Sequence, residues 1–122
     1  MIAAIYRRIS ALLLLLVVIG ATQICWAHAI LRDSTPALHS TVKGPDFDIT
    51  LRYNVRIDGN RSRVLLVSPD GQTAALKLGS QPSPDTLQAH AAGLKPGAYK
   101  LQWKVLASDG HMSSGEIRFT VN

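Results

Sequence analysis

From His28 onward, hydrophobic and polar positions alternate with a period of two. Phe47, Ile49, Leu51 and Tyr53 alternate with Asp48, Thr50 and Arg52, and Tyr99, Leu101, Trp103 and Val105 alternate with Lys100, Gln102 and Lys104. Ile117, Phe119 and Val121 alternate with Arg118 and Thr120. Successive side chains of an extended chain point to opposite faces, so each set presents one apolar face to a core and one polar face to water. Turn signals fall between these runs: Asp58-Gly59-Asn60, Pro69-Asp70-Gly71, Gly79 through Pro84, Lys95-Pro96-Gly97 and Asp109-Gly110. The pattern predicts about seven strands, near Ala29 to Leu31, Phe47 to Tyr53, Arg63 to Ser68, Ala74 to Leu78, Thr86 to His90, Ala98 to Ser108 and Gly115 to Val121. With no helical stripe after His28, the fold class is all-β, an antiparallel β-sandwich with one wet face on each sheet. Tyr99 and Trp103 read as core, with Trp103 the largest plug between the sheets.

The front of the chain follows a different pattern. Arg7 and Arg8 give a positive start, Ala11 to Ile19 is an unbroken apolar run, and Cys25-Trp26-Ala27 places small residues three and one back from a cut before His28. These are the three parts of a secretory signal. The run falls well short of the roughly 20 residues a spanning helix needs. The expected division is therefore a signal peptide over residues 1–27 and one domain over residues 28–122. An uncleaved anchor extended through Gly20 to Ile24 is the rival reading. Thr22-Gln23-Ile24 lacks the small residues that usually precede a lipid-attached cysteine.

Cys25 is the only cysteine and leaves with the signal, so the exported domain must hold together without a disulfide. Removing Arg7 and Arg8 lowers the formal charge from +5 to +3. The remaining Lys and Arg are scattered along the chain, which argues against a nucleic-acid surface.

Cleavage before His28 gives a first residue with a free α-amine as well as an imidazole. A second pair of candidate ligands lies in Ser108-Asp109-Gly110-His111, where residues two apart in an extended segment present a carboxylate and an imidazole toward one point. His28 reaches that point if the first strand runs alongside the end of the Trp103 strand. The resulting set is the His28 amine, the His28 ring nitrogen, the His111 ring nitrogen and an Asp109 oxygen. Three nitrogens and one oxygen suit Cu(II) in a tetragonal site, with zinc the natural competitor. The bland alternative is that Asp109 caps a turn and His111 is polar surface. His39 and His90 read as exposed and without function, with His39 the better placed to approach the metal end.

These pieces, taken in order, resemble the periplasmic copper-resistance CopC family along the whole exported chain. The matching residues are His28-Ala29 after a signal, Ser34-Thr35-Pro36-Ala37, Ser62-Arg63-Val64 with Asp70-Gly71, Leu94-Lys95-Pro96-Gly97-Ala98-Tyr99, Trp103-Lys104-Val105, Ser108-Asp109-Gly110-His111 and Ser114-Gly115. The resemblance implies an immunoglobulin-like, Greek-key sandwich in the periplasm that carries one Cu(II) on an N-terminal His chelate and an Asp-x-His. Carried residue by residue, it names His28, Asp109 and His111. It also implies a CopD-like membrane copper transporter as a recipient.

Two departures stand out. Many relatives have a methionine-rich loop for Cu(I), whereas Met112 is the only methionine after the signal, so no separate Cu(I) site is expected. Some relatives also carry a glutamate near the copper at a position that is Val55 here. The expected protein is a monomeric carrier and not an enzyme. A metal-independent interaction module and a copper oxidase or monooxygenase are the alternatives, because a sandwich by itself does not fix function.

Overall fold

A computed structural model describes residues 1–10 and 28–122; residues 2–10 are helical, and eight strands follow His28. They are β1 (Leu31–Thr35), β2 (Thr41–Val42), β3 (Phe47–Tyr53), β4 (Ile57–Val67), β5 (Thr73–Ala75), β6 (Thr86–Ala91), β7 (Gly97–Ala107) and β8 (Met112–Val121). Most of the segment expected to be a signal, including the apolar run and Cys25-Trp26-Ala27, lies outside the described residues. Among the described residues no helix is long and apolar enough to cross a membrane.

The strands form two sheets, ordered β1-β3-β6 and β2-β8-β7-β4-β5. All pairings are antiparallel except β2 with β8. The predicted alternation sets the packing: Ile49, Leu51 and Tyr53 of β3 and Leu87 of β6 face Val64, Leu101, Trp103, Val105, Ile117 and Phe119 of the larger sheet, all buried. Aromatic contacts join the sheets, with Tyr53 edge-on to Trp103 at 5.2 Å and Phe47 edge-on to Phe119 at 5.8 Å. Opposite Trp103 on β8 stands Gly115, where an added Cβ would lie 2.5 Å from the indole ring. The indole occupies the space that a side chain there would need.

Four predicted boundaries change. The first strand starts at Leu31 rather than Ala29 and pairs with β3, so it does not run beside the Trp103 strand. Asp58-Gly59-Asn60 is no turn but part of a bulge inside β4, where the six residues from Asp58 to Arg63 oppose the three from Lys104 to Leu106 on β7. The Asp58 carboxylate accepts the amides of Asn60 and Arg61 at 3.1 and 3.3 Å, and Ser62 Oγ accepts the Leu106 amide at 3.1 Å. Those bonds stand in for the missing ladder. The predicted strand to Leu78 stops at Ala75, leaving Leu78 a single bridge to Ala89. The two-residue β2 makes the count eight, and β8 starts at Met112 rather than Gly115.

Tyr53 carries a cost that can be measured. Its hydroxyl and the Trp103 Nε1 are buried without a hydrogen-bond partner among the described residues. Burial pushes the Tyr53 phenol well above its ordinary value, because the phenolate cannot be solvated there. The neutral phenol is therefore retained in the fold, and stability is fully present below the unfolded value near 10 and lost as pH rises above it. Tyr53→Phe is expected to leave neutral-pH stability unchanged or slightly raised, since it removes an unsatisfied group. It should also shift alkaline unfolding upward, read by circular dichroism from pH 9 to 12. An alkaline midpoint no higher than wild type would show that Tyr53 does not limit it.

Candidate metal site

The β7–β8 hairpin turns through Ser108-Asp109-Gly110-His111. Asp109 Oδ1 accepts the His111 amide at 3.0 Å, Ala107 O accepts the Gly110 amide at 2.9 Å, and Ala107 donates its amide to His111 O at 2.9 Å. Gly110 has φ +92°, a left-handed conformation in which a side chain would be strained. Asp109 and His111 are thus brought together by a side-chain-capped turn, not by strand periodicity. The same carboxylate oxygen lies 3.4 Å from His111 Nδ1. The His111 backbone hydrogen bond, followed by the His111 ring, holds the Asp109 carboxyl below its ordinary range. That lowering favours the charged carboxylate.

His28 comes to this hairpin from the other sheet. Asn54 clamps the chain just ahead of β1, its side-chain oxygen accepting the Ile30 amide at 2.7 Å and its own amide donating to Ile30 O at 3.0 Å. Ala29 is buried and donates its amide to Ser113 Oγ at 3.0 Å. Between these two anchors the chain crosses from the β1 edge to the start of β8. The exposed His28 ring then stands edge-on to the His111 ring, with centroids 6.1 Å apart.

Among the described residues, no three His, Cys, Asp or Glu side chains close around a common point as they stand. The set read from the sequence has a donor that the unprocessed chain cannot offer, because the His28 nitrogen there is a peptide amide. Asn54 and Ser113 were not singled out from the sequence. Each acts through a hydrogen bond to a backbone distant in the chain, and no local pattern signals that.

The other two histidines lie elsewhere. His39 does not approach this end: its amide donates to Arg118 O at 2.6 Å, and Arg118 is seven residues along from His111, roughly 20 Å at the strand rise. His90 Nδ1 lies 2.8 Å from Asp48 Oδ1 on the outer face of the smaller sheet. Val55 packs against the core and supplies no carboxylate.

Residues 31–122 match the CopC domain. The chain belongs to the CopC family. Among curated proteins, protein YobA of Escherichia coli K12 is 29% identical over 122 residues, covering 98% of each chain, and YobA of Shigella flexneri gives the same figures. The solved CopC of Methylosinus trichosporium OB3b is 28% identical with a TM-score of 0.71, covering 78% of this chain and 94% of that one. PcoC, a methionine-rich copper resistance protein from Escherichia coli, shares the fold at 24% identity and a TM-score of 0.67, covering 79% of this chain and all of its own. The sandwich and the family expected from the sequence are therefore both found.

Proposed function

We propose that this CopC-family chain is a periplasmic Cu(II) carrier, exported by removal of residues 1–27 and binding one ion through His28, Asp109 and His111. The observation that supports this best is the edge-on approach of the His28 and His111 rings at 6.1 Å beside the Asp109 carboxylate. Bound at about 2 Å through a ring nitrogen each, two imidazoles on one ion keep their centroids within about 6–7 Å, so little movement is required. Family membership supports copper as the cargo, and the nitrogen-rich donor set fits Cu(II).

The chain's own groups divide the work. The His28 amine and ring are offered as one chelate, Ser113 and Asn54 fix the residues behind it, and Asp109 holds both the turn and the His111 ring beside it. Such a site binds and releases an ion without reaction, and a membrane copper transporter of the CopD kind is the recipient we propose.

Protons compete for the nitrogens. Amine and imidazole nitrogens ligate only in their unprotonated forms, so acid competes with the metal for both kinds of donor. Asp109, already held low, remains charged from pH 7 to 5. Isothermal titration of the exported protein with Cu(II) is expected to give one equivalent at pH 7 and affinity falling by at least about tenfold per pH unit below 6. Absence of stoichiometric uptake at pH 7, or affinity indifferent to pH, would contradict the proposal.

A further inference from the structure

The outer face of the five-stranded sheet gathers charges that are far apart in the chain. Its outward positions carry Arg63 on β4, Lys100 and Lys104 on β7, and Arg118 on β8, against one carboxylate, Glu116. Residues 28–122 contain 11 Lys and Arg and 8 Asp and Glu. With four cations and one carboxylate on this face, the rest of the domain holds seven of each sign, so the whole +3 excess sits here.

The register makes the crowding sharper. Arg63 stands directly opposite Lys104, and Lys100 directly opposite Arg118. Like charges in facing positions destabilise a sheet. Glu116 relieves only one row, lying 4.0 Å from Lys100 and 3.0 Å from Arg118, while Arg63 and Lys104 have no carboxylate partner among the described residues. The face is also hollowed. One depression of about 510 Å³ runs past Arg63, Lys104 and Glu116, and a second of about 510 Å³ runs past Lys100 and Arg118.

We propose that this cationic, hollowed sheet face is a docking surface for a carboxylate-rich segment of a partner protein. Four cations set in two rows over shallow troughs complement side chains that project from a strand or loop. A flat anionic bilayer is matched less well, because the exposed large apolar residues that would enter it are absent from the middle of the face; Met112 stands only at its end. Met112 opens β8 directly after His111, so a segment laid along the face ends beside the hairpin. The inference rests on charge and shape and stands independently of the metal reading.

The test uses the exported protein free of copper, with a fluorescein-labelled decapeptide of L-glutamate as probe and phosphatidylglycerol vesicles as a second arm. Amide shifts on adding the peptide are expected on β4, β7 and β8 around Arg63, Lys100, Lys104 and Arg118. Lys100→Gln with Lys104→Gln should weaken peptide binding about tenfold at low salt, and 0.3 M salt should abolish it. The control Arg32→Gln with Lys43→Gln removes the same charge elsewhere and should change affinity less than twofold. Circular dichroism confirms that both variants fold. Equal loss in the two variants would show that net charge alone attracts the probe and would overturn the surface. Vesicle binding without peptide binding would assign the face to a membrane and overturn it as well. Either failure leaves the Cu(II) titration unaffected, since no metal is present.

Discussion

An exported protein carrying one extra residue ahead of His28 is expected to lose Cu(II) affinity by more than about a hundredfold, with its fold unchanged. Changes to groups that merely orient a ligand already cost about 10–100-fold in metal affinity, and this one removes a donor outright. The added residue touches no side chain. It turns the α-amine into an amide, which can ligate only by giving up its proton, and it breaks a chelate in which amine and imidazole of one residue close a ring on the same ion. Ala29 and Ile30 keep their bonds to Ser113 and Asn54, so the imidazole stays where it is. Competition against a chromophoric Cu(II) chelator measures the loss. Affinity equal to that of the natural terminus would show that the amine is no ligand.

His111→Ala is expected to produce a loss of similar size, about a hundredfold or more, because it removes the only donor that the hairpin supplies through a ring. The fold should tolerate it. His111 is exposed, and its structural bonds, to Asp109 Oδ1 and from the Ala107 amide, use the backbone that alanine retains. Stability should therefore move by no more than about 0.5 kcal/mol. Asp109→Asn separates the two tasks of that carboxylate. Asparagine caps the same turn through its own side-chain oxygen but brings no charge, so a smaller loss, about tenfold, is expected. Should His111→Ala bind copper as tightly as wild type, the hairpin is not part of the site.

The sandwich was legible because its inner residues repeat every second position through β3, β7 and β8, and that period is a direct consequence of strand geometry. The β4 bulge was not legible. Asp-Gly-Asn has the composition of a turn, and only the Asp58 carboxylate folding back on Asn60 and Arg61 keeps the segment within a strand. The geometry expected for the candidate site differs from the one found. Asp109 and His111 meet through a capped turn with Gly110 at φ +92°, and His28 arrives from the opposite sheet by way of Ser113 rather than along β7. A local side-chain cap decides the first and a tertiary hydrogen bond the second, and neither leaves a periodic trace. The cationic face lies between these cases. Arg63, Lys100, Lys104 and Arg118 look scattered in the chain, yet each sits on the polar phase of a strand, and the register alone aligns them.

The carrier reading stands or falls on what the first equivalent of Cu(II) binds in the exported protein, and pulsed electron paramagnetic resonance observes that directly. The predicted result is a tetragonal signal that saturates at one equivalent and shows two coordinated imidazoles, from His28 and His111, alongside the terminal amine. A signal with one imidazole or none, or one still growing past the first equivalent, would contradict it.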